Sequence, residues 1–129
     1  MRDHTRLRAF EMADDIALRV YQITRFFPKE ETYGLTAQIR RAAVSIPSNI
    51  VEACSRKSLV EYVRFLEIAF GSLRELRYQF SLSIRLGFCG QHDSTPLEQA
   101  LLELEKVLHA LIFSVRKQVQ ASKSFSQRG

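Results

Sequence analysis

Cysteine, histidine, glycine and proline are all scarce in this chain, and each shortage removes a class of protein. The 129 residues hold two cysteines, Cys54 and Cys89. Neither their number nor their spacing gives a disulfide framework or a zinc site, so both are expected as free thiols in a reducing cytoplasm. The three histidines are His4, His92 and His109. None follows a glutamate by three residues, so the Glu-x-x-His pairs of a carboxylate-bridged di-iron bundle are missing. Glu105 and His109 stand four apart, but no second helix offers a histidine to complete a site. No metal and no cofactor are expected. Neither cysteine has a recognisable histidine partner, and the serines fall at caps and on helix faces, so nucleophilic catalysis finds no support. There is no Gly-rich phosphate loop. Gly71-Ser72 lies inside a helical pattern rather than after a strand, and it reads as a point of close helix packing against Ala42, Ala43 and Ser45. No catalytic residue is assigned, and an enzyme is not expected. No run approaches the ~18 apolar residues of a membrane span. The charged start, Met1 to Arg6, is not followed by the apolar core of a signal peptide, which predicts a cytoplasmic protein.

Five glycines and three prolines, mostly at boundaries, favour long helices over a sheet built on many turns. Apolar residues make up 46% of the chain, ordinary for a globular protein, and the length suits one domain over 1–129. The apolar spacing predicts four helices, at about 7–26, 37–54, 59–86 and 96–120, with a polar tail, 121–129, that frays. Phe27-Pro28 ends the first. Thr36 is a candidate N-cap for the second. Ser58 with Glu61 makes a capping box for the third, and Gly87 stops it. Thr95-Pro96 starts the fourth, whose Leu97, Leu101, Leu104, Leu108, Leu111 and Val115 form a seam. Short links between such helices predict an all-α, antiparallel up-down-up-down four-helix bundle.

The third helix carries two apolar lines. One is Leu59, Val63, Leu66, Phe70, Leu73 and Phe80; the other is Tyr62, Phe65, Ala69, Leu76 and Ile84. A surface helix needs one stripe. The surplus, with Ile68 and Leu82 outside both lines, predicts a subunit interface and hence a homo-oligomer.

Charge is the remaining signal. The chain carries a formal +5 and a pI near 9.6, and arginine outnumbers lysine 14 to 5. Guanidinium forks match phosphate oxygens in pairs, which points to nucleic acid as partner. The segment 36–57 sets Arg40, Arg41, Arg56 and Lys57 against Glu52. The end of the chain adds Arg116, Lys117, Lys123 and Arg128 with no acid side chain. With Arg64 and Arg74 of the third helix, the candidate nucleic-acid-binding residues are Arg40, Arg41, Arg56, Lys57, Arg64 and Arg74. Taken one at a time, such arginines are better read as a solvated face or as ion pairs, and only the set, multiplied around an oligomer, favours phosphate; Glu52 stands four residues before Arg56.

The most distinctive run is Gln38 to Glu52, a helical pattern with Pro47 inside it. Proline removes one donor and crowds the carbonyl four residues back, that of Ala43. Its cost of roughly 3 kcal/mol implies that tertiary or quaternary packing holds this helix. The block Arg40-Arg41-Ala42-Ala43-Val44-Ser45-Ile46-Pro47-Ser48-Asn49-Ile50, with Phe26-Phe27-Pro28, Tyr33-Gly34-Leu35-Thr36 and Ile68-Ala69-Phe70-Gly71-Ser72-Leu73, resembles the 23S rRNA intervening-sequence protein family, also called the four helix bundle protein family. One departure is Val51-Glu52-Ala53 where the family usually has Ala-Glu-Gly, so the end of the second helix is expected to close differently. The resemblance implies a cytoplasmic bacterial bundle assembled as a ring, typically a homopentamer. It also implies kinship with the accessory variability determinants of diversity-generating retroelements, which bind a reverse transcriptase and nucleic acid. The expectation is therefore a non-enzymatic homopentameric nucleic-acid-binding protein, an accessory to a reverse transcriptase. The alternative is a scaffold ring that docks a partner enzyme and touches no nucleic acid.

Overall fold

Each helix forms where an apolar stripe can be buried, and each ends at a specific backbone device. A computed structural model describes residues 2–4 and 7–128; the side chains of 126–128 and all of Met1, Thr5, Arg6 and Gly129 lie outside the described residues. The chain is all-α, with helices α1 (Arg8–Thr24), α2 (Leu35–Ser55), α3 (Leu59–Arg85) and α4 (Gln91–Arg128), and a 3₁₀ turn at Lys29–Glu31. No strand occurs among the described residues. α1 packs on α2, α2 on α3, α3 on α4, and α4 back on α1, while among the described residues no close backbone approach joins the diagonal pairs. Four helices thus enclose one core. Its fully buried members include Ile16, Ile39, Ile46, Ile50, Leu66, Leu73, Phe80, Leu104 and Leu108.

The end of α1 tightens: Phe26 N donates to the Ile23 carbonyl and Phe27 N to that of Thr24. Thr36 does not cap α2. It lies inside the helix and is buried, and the Glu31 carboxylate accepts from Leu35 N at 3.0 Å instead. A Cβ on Gly34 would stand 2.6 Å from that Glu31 oxygen, so the glycine leaves room for the cap. At α3, Ser58 Oγ accepts from Glu61 N at 3.1 Å. The other half of the box is not made, because the Glu61 carboxylate turns to Arg64. α3 ends in a Schellman turn: Phe88 N reaches the Ser83 carbonyl and Gly87 N that of Ile84, with Gly87 at φ +81.

α4 begins at Gln91 rather than at the Thr95-Pro96 start, with Asp93 N and Ser94 N donating to the Gly90 carbonyl. Pro96 therefore sits inside the helix. It costs only the bond to His92, an exposed residue of the first turn. The tail expected to fray is helical through Arg128; no glycine or proline after Pro96 stops it before Gly129. At 38 residues, α4 is about 57 Å long, against about 40 Å for the 27 residues of α3.

Pro47 is accommodated by α2–α3 packing, the most extensive helix contact in the fold. Ser45 Oγ and Ser72 Oγ share a hydrogen bond of 2.7 Å across it. Asn49 Nδ2 donates to the Ser45 carbonyl at 2.8 Å and to its hydroxyl at 3.0 Å. The run that looked most like a signature is thus a polar fastener between helices. Gly71 does not mark the close approach; a Cβ there would meet nothing within 4 Å. One residue on, Ser72 is turned by 100° toward α2 and makes the contact.

Both apolar lines of α3 are absorbed by the subunit itself. Tyr62, Leu66, Ala69, Leu73, Leu76 and Phe80 are buried, and Leu59, Val63, Phe65, Phe70 and Ile84 pack half-buried on the core. Of the two residues outside both lines, Ile68 is exposed and Leu82 half-buried; Val60, Tyr78 and Leu86 are also exposed along or at the end of α3.

Candidate nucleic-acid interface

The six candidate cations do not form one patch. Arg40 is spent on packing: its Nε donates to Thr24 Oγ1 at 2.8 Å and its guanidinium lies 4.6 Å from the Tyr21 ring centroid. It fastens α2 to α1. Arg41, one residue on, is exposed and has no polar partner among the described residues. Arg74 lies on the α3–α4 face, 3.6 Å from Glu105, which Arg77 also engages. Arg64 pairs with Glu61 at 3.3 Å and is largely exposed. Arg56 pairs with Glu52 at 2.8 Å and lies over Phe65. Lys57 is exposed and, like Arg41, without a partner among the described residues.

What the structure does gather is one end of the bundle. Here α2 stops, α3 starts and the N-terminal arm folds back. A cleft at this corner is lined by Arg2, Ser55, Arg56 and Lys57. Beside it, Lys123 and Ser122 of α4 line a second hollow with Ser58, Leu59 and Val60. Arg2, Arg56, Lys57 and Lys123 therefore share one pole, and Lys57 directly precedes the capped start of α3, where a helix presents unpaired amides and partial positive charge. Sequence reasoning missed Arg2. Its aromatic partner, Tyr62, is sixty positions away, and no local pattern announces the contact. Among the other tail cations, Arg116 is tied to Glu67 at 2.9 Å and Lys117 lies over Phe113. The side chain of Arg128 is outside the described residues.

The two thiols are not poised as nucleophiles. Burial pushes the Cys54 thiol above its usual 9.0, outweighing the downward pull of Arg2. Burial also raises Cys89, so both favour the unreactive thiol over the nucleophilic thiolate. Among the described residues no group of three or more His, Cys, Asp or Glu could hold a metal ion. No described helix is long and apolar enough to cross a membrane.

A second surface runs along the α3–α4 seam. Three adjoining hollows share lining residues there: Arg74 and Leu102 are common to two, and Phe70 and His109 to two. Tyr78, Leu102 and Phe113 are exposed on or beside this seam.

The fold is similar to a crystal structure of a protein of unknown function from the S23 ribosomal protein family of Bacteroides thetaiotaomicron. The two share 24% identity over 81% of this chain and 97% of that one, with a TM-score of 0.75. No curated protein matches the chain. The family model for the 23S rRNA-intervening sequence protein matches residues 5–110, taking in the Ser45–Asn49 fastener, the Glu31–Gly34 cap and the Schellman turn at Gly87, and the chain belongs to that family.

Proposed function

We propose that this protein binds nucleic acid without catalysing a reaction, and that its contact surface is the basic pole at the α2–α3 corner. The observation that carries the reading is the convergence there of Arg2, Arg56, Lys57 and Lys123 from three separate stretches of chain. A polyanion gains from each cation added, because each contact releases condensed counterions. The links of three residues, 56–58, and five residues, 86–90, favour alternating helix directions. An up-down-up-down order would keep the start of α3 beside the end of α4. Assembly as a homopentameric ring would repeat the pole on one rim and multiply the contacts. An accessory role beside the reverse transcriptase of a diversity-generating retroelement belongs to the same reading, and the resemblance is its support.

The test is filter retention of labelled single-stranded RNA and DNA at low salt by the wild type and by Lys57→Glu. Retention that falls on charge reversal is expected; background retention for the wild type refutes the reading. One observation favours the scaffold alternative. The α3–α4 seam offers exposed Tyr78, Leu102 and Phe113 between charged pairs, which suits a protein partner. In that case Leu102→Asp abolishes pulldown of the partner enzyme, and RNA retention stays at background.

A further inference from the structure

α4 outruns the core of the bundle. Val115 is its last buried residue among those described, yet the helix continues through Arg128. At 1.5 Å per residue the stretch 116–128 adds about 20 Å. Val119 is half-buried, and residues 120–125 are all exposed. Val119, Ser122 and Lys123 still flank the start of α3, in the hollow they line with Ser58, Leu59 and Val60, and no acid lines that hollow. Phe125 stands one turn beyond Ser122, with 79% of its surface open. It takes no part in the core, and it has no ring or cation contact among the described residues.

The surroundings of this ring are cationic. From Lys106 to Arg128, α4 contains no acid, and after Val115 it carries Arg116, Lys117, Lys123 and Arg128. Glu67 offsets Arg116 at 2.9 Å, while Lys123 has no ion-pair partner among the described residues. Cations near a helix C-terminus suit the helix dipole on their own account; an exposed phenyl ring among them does not follow from it. Phe26 and Tyr33, at the start of α2, are at least as exposed, but there Glu30 and Glu31 balance Arg25 and Lys29. Val119 and Phe125 are too few to make the broad apolar face by which an amphipathic helix lies in a lipid surface. A polyanion that carries flat rings of its own fits both parts of the arrangement.

We propose that Phe125 is a stacking platform for an unpaired base, so that the pole takes single strands in preference to duplex. In a duplex the neighbouring pairs cover each base face. In a single strand a base can turn out onto the ring while its flanking phosphate meets the Lys123 ammonium. The inference rests on the nucleic-acid reading above and names the form of nucleic acid the pole engages.

The experiment compares, by fluorescence polarisation at one low salt concentration, a labelled RNA as a single strand and as a duplex. The wild type should bind the single strand roughly tenfold tighter, the scale of one base–aromatic stack. Phe125→Leu keeps an apolar side chain without a flat face. It should lower single-strand affinity roughly tenfold and leave duplex affinity and the melting temperature as before. Phe26→Leu, at the other end of α2, should change neither affinity. The chain has no tryptophan, so Phe125→Trp supplies a single reporter, whose emission should be quenched by the single strand and not by the duplex. Single-strand affinity that survives Phe125→Leu, an equal loss on both RNAs or with Phe26→Leu, or an unquenched tryptophan overturns the stacking inference and leaves nucleic-acid binding standing. No binding of either RNA by the wild type overturns both.

Discussion

Replacing Arg40 and Arg41 one at a time separates a packing arginine from a free one. Arg40 gives up a 2.8 Å hydrogen bond to Thr24 and a cation–aromatic contact with Tyr21 when changed to alanine. A hydrogen bond involving a charged donor is worth about 1.5–3 kcal/mol, and a partly exposed cation–π contact about 0.5–1 kcal/mol. Arg40 is half-buried, so the low end of each range applies, and the expected loss is about 2 kcal/mol. For a domain of this size that lowers the melting temperature by about 5–8 °C. Thr24 keeps its own bond to the Val20 carbonyl at 2.7 Å, so the loss stays local to the α1–α2 seam. Arg41→Ala removes an exposed side chain with no polar partner among the described residues, and a change within about 0.5 kcal/mol is expected. Urea and thermal melts followed by far-ultraviolet circular dichroism measure both, with RNA affinity at fixed salt measured alongside. Equal stability of the two variants, or a stability loss confined to Arg41→Ala, would refute the assignment of Arg40 to packing.

Ser45→Ala removes the bond to Ser72 and one of the two bonds from Asn49. It should cost about 1–2 kcal/mol, and the Ser45→Ala/Ser72→Ala double variant should cost less than the sum of the singles in a denaturant cycle. Gly71→Ala should stabilise the subunit by about 1 kcal/mol, since a helix-interior glycine with open space beside it gains from a methyl group; a lower melting temperature would mean that another chain approaches there. Burial raises both Cys54 and Tyr62 above their usual values. The neutral forms are the ones the fold keeps, so their contribution is whole below those usual values and declines as pH rises beyond about 9. Cys54→Ala should flatten the onset of that decline in melts taken from pH 7 to 11, and an unchanged profile would count against it.

Much of the fold was legible because burial imposes helical periodicity on the sequence. Ile39, Ala42, Ile46, Ile50 and Ala53 mark one side of α2, and Leu97, Leu101, Leu104 and Leu108 one side of α4, and all of them are buried. Helix ends were less legible. The cap on α2 comes from Glu31, reaching past a glycine, where Thr36 offered a more familiar pattern. α4 overran both expected ends because Pro96 is tolerated near a helix start and nothing stops the chain before Gly129. The double stripe of α3 has an account within one subunit. A helix in contact with both α2 and α4 buries a wide arc within one subunit, so apolar breadth alone does not require a second copy.

The candidate interface was legible as charge and illegible as geometry. Arg56 and Lys57 were visible as cations at a helix junction. That Arg40 serves α1, that Arg74 shares Glu105 with Arg77, and that Arg2 lies over Tyr62 are contacts between residues far apart in the chain. Composition counts cations; only the fold separates those with partners from those without.

The central claim is that the pole formed by Arg2, Arg56, Lys57 and Lys123 carries the contact with nucleic acid. Its most direct test is the salt dependence of binding to a labelled single-stranded RNA, titrated from roughly 50 to 200 mM salt. The account predicts a linear fall of log affinity with log salt, and a slope shallower by about 0.7 for Lys57→Gln, the loss of one phosphate contact on a single strand. A slope that Lys57→Gln and Arg2→Gln both leave unchanged, with Arg41→Gln or Arg74→Gln altering it instead, would place the contact elsewhere and contradict the account.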